Sequence, residues 1–385
     1  MSNIKKGLYI FIANIILFVL IEIILTFFFV LHKSNYYGPL ARLFLFEKKV
    51  SEETVQYKMS FNKKTGMYNE GEYNFNNIKH SVNKFGFIGK EVDIENKSGC
   101  RLIALGGSTT AGVETQKPYP KILENLLNQN QFNCEVLNFG FSGKALNSLE
   151  KILVNQASKF NPNVITIMSN RNSTMYDSYI TSAVATDIIK SKFDLFLYEL
   201  KNFLFFEIMT YRFLSLSYNR ALSLLLDEEN KIISPFNPRN FHSIKYFQNG
   251  YKDQIRRINS YCKERGFKLV VIKQAFFINL DVQKNINSLS KEEIIDELIN
   301  YNKEKEYPNV KNLFWMYTNA ILNKNLDELA AEDDSITLVD PTKSLYAKNK
   351  LDFFQKDGLH LNLQGNQVIA NKIFESLISK QLIKK

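Results

Sequence analysis

The chain has 385 residues, 45% of them hydrophobic, which is enough for one large or two ordinary domains with a real core. Its net charge of +10 comes from lysines scattered among Asn and Ile. Without a basic stripe or stacking motif, this speaks against a nucleic-acid partner and leaves an anionic envelope surface or polymer as the easier match. Three cysteines exclude a fully paired disulfide framework, and no Cys/His spacing suggests a zinc site.

In chain order, residues 1–7 form a short tail carrying Lys5 and Lys6. Residues 8–31 are apolar except at Asn14, Glu22 and Thr26, a length that spans a bilayer. The run is too long for a cleaved signal peptide, and Phe27-Phe28-Phe29 is no small-residue cleavage site, so it reads as a single-pass transmembrane anchor. Glu22 is costly in lipid; it either meets another membrane protein or is tolerated locally by a long segment. Lys5 and Lys6 favour an inside N-terminus, but Lys33, Arg42, Lys48 and Lys49 follow the span, partly offset by Glu47, Glu52 and Glu53. Residues 32–99 are aromatic and polar without clear periodicity and read as a juxtamembrane lead-in.

From residue 100 the pattern changes. Apolar runs at 102–105, 136–138, 164–168, 269–272 and 336–339 are short and separated by helical segments, which predicts a mostly parallel sheet with helices on both faces. Ligands of such sheets bind beyond the carboxyl ends of the strands, and Ser108, Gly140 and Asn172 all follow such ends. Two insertions, at about 174–250 and 279–333, interrupt the alternation. The first holds a long apolar and aromatic helical stretch, residues 195–226. There Phe203-Leu204-Phe205-Phe206 reads as an ordinary buried face or, alternatively, as a lid over an acyl pocket or a surface resting on the membrane. The second holds Lys291-Glu292-Glu293-Ile294-Ile295 and the single tryptophan, Trp315. Cys262, in a helix before the 269–272 strand, reads as packing.

Two stretches carry chemistry. Leu105-Gly106-Gly107-Ser108-Thr109-Thr110-Ala111-Gly112 puts a serine on a glycine turn after a buried strand. No Gly-Lys-Ser/Thr follows, which excludes a nucleotide loop, and Thr110 breaks the Gly-x-Ser-x-Gly elbow. Near the C-terminus, Asp357-Gly358-Leu359-His360 spaces an acid and an imidazole three apart, on one face of a turn. A helix start with an acidic residue is the plainer reading of that stretch alone.

Together the two stretches resemble blocks I and V of the SGNH (GDSL-like) hydrolases. Val136-Leu137-Asn138-Phe139-Gly140-Phe141-Ser142-Gly143 is similar to block II, and Val164-Ile165-Thr166-Ile167-Met168-Ser169-Asn170-Arg171-Asn172-Ser173 falls where block III belongs. The resemblance covers most of residues 100–385. It implies a three-layer α/β/α sandwich of flavodoxin-like order, with Ser108 as nucleophile, His360 as its base and Asp357 as the residue that orients His360. It also implies an oxyanion hole from the Ser108 and Gly140 N–H groups and the Asn172 amide, and neither metal nor cofactor. Block III departs from the family: Asn170 replaces the usual Gly and the final Asp is missing. Asn170 as donor with Asn172 structural is therefore the alternative, and Gly140 as a plain strand-end glycine is another. Ser81 to Glu91 resembles a segment that precedes the nucleophile strand in membrane-linked members, with Ile88 in place of Arg. In this fold the strands after Cys100 and Cys134 are parallel neighbours, which makes a bridge between them a hypothesis beside two buried thiols.

The resulting expectation is a membrane-anchored serine esterase, its catalytic domain outside the cytoplasm, removing acetyl or other short acyl groups from envelope carbohydrate. An O-acyltransferase working with a membrane partner and an inactive envelope scaffold or glycan-binding module are the alternatives.

Overall fold

The computed structural model describes residues 61–173, 231–233, 241–275, 285–303 and 311–384, a few interior positions aside, with Phe277 and scattered positions between 12 and 24. The chain divides into two compact units, Met1–Val55 with Ile188–Glu228, and Gln56–Asp187 with Glu229–Lys385. In the first, the described positions between 12 and 24 are helical and exposed, bulky apolar residues such as Ile16, Leu17 and Ile24 among them. No helix of the described residues is long and apolar enough to cross a membrane. Most of residues 8–31, Glu22 included, lie outside the described residues, as do residues 203–206.

The second unit opens with an antiparallel hairpin, β1 (Gly71–Phe75) and β2 (Ile78–Val82). Strands β3 (Cys100–Gly106), β4 (Cys134–Gly140) and β5 (Val164–Met168) follow. A second small hairpin, β6 (Lys231–Ile233) and β7 (Phe241–Ser243), precedes β8 (Lys268–Ile272) and β9 (Ile336–Val339). The central sheet runs β4-β3-β5-β8-β9 with every neighbouring pair parallel. That is the 2-1-3-4-5 order of flavodoxin-like sheets, whose direction of winding reverses between β3 and β5.

Both faces of the sheet are covered, so its strands are apolar almost throughout. Ile103, Leu105, Ile165 and Ile167 face one core with α3 (Leu146–Asn155) and α4 (Tyr251–Arg265). Leu102, Ala104, Val164 and Val270 face the other core, with α2 (Tyr119–Gln129) and α7 (Leu363–Ser379). The strict alternation along β3 and β5 is what makes three layers. A four-residue helix, α1 (Ser108–Ala111), caps β3.

Within residues 61–99, Met67, Tyr68, Val82 and Phe87 are buried in the first core. Arg101, wholly buried, fastens this segment to the sheet: its guanidinium donates to the carbonyls of Asp93, Ile94 and Phe160 and pairs with Glu135 at 2.7 Å. A buried guanidinium is tolerable because its donors are satisfied. The 279–333 stretch also contributes to that core. Its helices α5 (Lys291–Lys303) and α6 (Lys311–Glu332) lie between β8 and β9 in the chain, and Leu298, Phe314, Trp315, Leu322 and Leu326 join the first core. Of the 174–250 insertion, the structure describes β6, β7 and a turn of π-helix at Tyr246–Gly250.

Cys100 and Cys134 are register partners at the start of β3 and β4, and a disulfide joins them. Cys262 is buried in α4, and burial pushes its thiol up to about 12, consistent with packing.

Candidate active site

Ser108 is the first residue of α1, directly after the carboxyl end of β3. Two glycines allow the chain to turn there in a crowded place. A Cβ on Gly106 would lie 2.0 Å from Thr110 Oγ1 and 2.8 Å from the Met168 carbonyl, and one on Gly107 would lie 2.5 Å from the Asn172 amide nitrogen. Only glycine lets α1 sit this tightly between the ends of β3 and β5.

His360 arrives from the other end of the chain, on the loop before α7. Its Nε2 lies 2.8 Å from Ser108 Oγ, and its Nδ1 lies 2.5 Å from Asp357 Oδ2. With the Asp357 carboxylate accepting the Nδ1–H, Nε2 is left to accept the serine proton. Asp357 Oδ1 meanwhile accepts the backbone N–H groups of Leu359 and His360, so the carboxylate fixes both the loop and the ring. Burial works to raise the Asp357 pKa. The His360 ring and the two backbone donors outweigh it and bring it down to about 2. The carboxylate is therefore ionised at any ordinary pH.

The two asparagines of the β5 end separate cleanly. Asn170 is buried: its side-chain amide donates to Asn319 and Asn323, its carbonyl accepts from Tyr251, and its backbone N–H donates to Gln274. Asn172 lines the hollow over Ser108, its amide also donating to the Lys144 carbonyl at 3.0 Å. Ser173 accepts the Leu146 N–H at the start of α3 and donates to the Ser169 carbonyl.

The Gly140 N–H donates to Asn138 Oδ1 at 3.0 Å, and a Cβ there would lie 2.1 Å from the Ala111 nitrogen. The glycine permits close approach of β4 and α1, and its one N–H bonds to Asn138 in this arrangement. Ser108, at the first position of α1, has no intrahelical acceptor for its own N–H.

The hollow bounded by Gly107, Ser108, Met168, Ser169, Asn172, Gln274 and Leu359 offers about 10 Å³, the space of roughly one water-sized group. Gln274, at the end of β8, also walls a larger cleft of about 190 Å³ lined by polar groups of α6 and the β9 loop, Asn319, Asn323, Lys324 and Lys343 among them. Reading the sequence missed Gln274, because no local pattern marks a single polar residue after a buried strand. It also missed Glu114. Among the described residues, Glu114, Asp357 and His360 bring one side-chain oxygen or nitrogen each to within 4.8 Å of one another.

No family model and no curated protein matches the chain. Among solved structures it is similar to the lipase/acylhydrolase from Enterococcus faecalis, at 13% identity over 74% of this chain and 97% of that one, with a TM-score of 0.40. It is also similar to a catalytic mutant of Axe2, an acetylxylan esterase from Geobacillus stearothermophilus, at 13% identity over 75% and 100% of the two chains and a TM-score of 0.40. A putative acylhydrolase from Bacteroides fragilis gives 14% identity over 74% and 90%, with a TM-score of 0.39. Likenesses this distant decide neither activity nor substrate.

Proposed function

We propose that this chain is a serine ester hydrolase that removes short acyl groups through an acyl-Ser108 intermediate. The observation that carries the reading is the unbroken hydrogen-bonded line Ser108–His360–Asp357, assembled from residues 252 positions apart. A serine hydroxyl is a weak nucleophile until a base takes its proton, and His360 Nε2 is in reach to do so. As Oγ attacks the ester carbonyl, the proton passes to Nε2 and the imidazolium is stabilised by Asp357. The negative charge on the carbonyl oxygen meets the Ser108 N–H and the Asn172 amide, each such donor worth about 3 kcal/mol in the transition state. The imidazolium then protonates the leaving alcohol, and water repeats the sequence to release the acid.

The narrow hollow over Ser108 favours an acyl group no larger than acetyl or its near homologues. The adjacent polar cleft suits a hydroxyl-rich carrier such as envelope carbohydrate, and it would equally seat an acceptor sugar, which keeps an acyltransferase as the second reading. The apolar segment at residues 8–31 fits a membrane anchor, and the Cys100–Cys134 disulfide fits an oxidising compartment, which supports a catalytic unit outside the cytoplasm.

The test is turnover of p-nitrophenyl acetate, butyrate and octanoate by the full chain in detergent, with acetylated polysaccharide alongside. Acetate is expected to turn over fastest, and Ser108→Ala and His360→Ala each to lose about a thousandfold or more. Undiminished turnover in Ser108→Ala would refute the serine mechanism. Acetyl transfer to the polysaccharide in excess of acetate release would favour the transferase.

A further inference from the structure

His360 has a second carboxylate. Glu114, in the loop after α1, places Oε1 3.6 Å from Nδ1, on the same side of the ring as Asp357. Its position is held from two directions. Gln355 Nε2, from the loop that carries His360, donates to the Glu114 carbonyl at 3.1 Å, and His80 Nε2, from strand β2, donates to the Val113 carbonyl at 3.2 Å. The Glu114 side chain is 23% exposed and that of His360 16%, so neither charge is freely screened by water. Burial raises the Glu114 pKa; the His360 charge draws it back down, and the neighbouring Asp357 charge raises it further. A carboxyl kept half-buried beside another carboxylate needs a compensating cation, and His360 is the one within reach.

We propose that Glu114 is a second carboxylate partner of His360, a positioning residue that shares with Asp357 the stabilisation of the imidazolium formed as Ser108 attacks. The inference rests on the serine mechanism above. Asp357 takes the Nδ1–H and fixes the tautomer, while Glu114, beyond hydrogen-bond length, adds its charge to the protonated ring. When Asp357 is absent, Glu114 is the remaining acceptor on the Nδ1 side, so the two acids are partly interchangeable. Among the described residues, the charged groups facing Glu114 are His360 and Asp357. The charge of Glu114 favours the protonated ring, so removing it slows the step that forms that ring.

The experiment measures how fast a fluorophosphonate labels Ser108, as a function of pH, in the full chain and in Glu114→Gln, Asp357→Asn and the double variant. Labelling needs the activated serine but no knowledge of the natural ester. Glu114→Gln is expected to slow labelling about three- to tenfold. In the Asp357→Asn background the same change is expected to cost at least about tenfold more than in the parent, because the substitute is then lost too. Glu114→Ala, which also removes the charge, should give the same loss, and unfolding midpoints check that each variant is folded. Equal cost in the two backgrounds overturns the proposal while leaving the triad intact. A folded parent whose Ser108 is not labelled contradicts the triad itself, and the proposal with it.

Discussion

The Ser108 hydroxyl meets His360 Nε2 at 2.8 Å, and the far side of that ring meets a carboxylate ionised down to pH about 2. Activation of the serine thus depends on few atoms, and each has a separable consequence. Asn172 is expected to act only on the developing oxyanion, so Asn172→Ala should lower kcat about a hundredfold with KM little changed, as steady-state kinetics on p-nitrophenyl acetate would show. Asp357 has a depressed folded-state pKa, so its stabilisation is present above its ordinary value of 3.8 and is lost as pH falls through about 2. Between those limits the thermal midpoint of the parent should fall more steeply than that of Asp357→Asn, measured by circular dichroism. Much at this scale was legible beforehand. Ser108, Asp357 and His360 stand in two compact motifs, and the structure brings them together. Asn170 and Asn172 stand two apart with the same chemistry, and only packing against Tyr251, Asn319 and Asn323 tells them apart. Gly140 shows the opposite: its motif suggests a donor, but a side chain two residues away, Asn138, takes its N–H.

Among the elements, α1 matters most for placing the nucleophile. It is too short to be stable alone and is held by what lies beneath it, Gly106 of β3 and Gly140 of β4, register partners in the sheet. A methyl at Gly140 would press on the Ala111 nitrogen and the Thr110 carbonyl carbon, both backbone, which cannot rotate away. Gly140→Ala is therefore expected to destabilise the unit by about 1–3 kcal/mol or more, and to lower activity by displacing α1, read from chemical denaturation and from ester turnover. The five parallel strands were legible from short apolar runs alone, to within two residues at either end. The hairpin β1–β2 was not: Ile78, His80 and Val82 alternate with exposed Lys79 and Ser81, but over too few residues to stand out in an aromatic and polar stretch. Helix α6 escaped for another reason: it is buried on several sides, so polar Asn319 and Asn325 interrupt an otherwise apolar surface without marking a solvent face.

The molecule as a whole places its site where sheet topology directs. Ser108 follows β3 and Asn172 follows β5, the two strands between which the sheet order reverses, and His360 closes the site from the loop before α7. The segment from Gln56 to Gly99 belongs to the same unit and reaches the site itself: the Tyr68 hydroxyl accepts the Ser142 N–H, and His80 holds the loop that bears Glu114. The most direct measurement is rapid-quench mass spectrometry of the full chain turning over a short-chain ester. The expected result is one acyl group on the peptide containing Ser108, accumulating before release and absent from Ser108→Ala. Steady ester turnover with no acyl group on that peptide at any quench time, and an equal rate in Ser108→Ala, would contradict the acyl-serine mechanism.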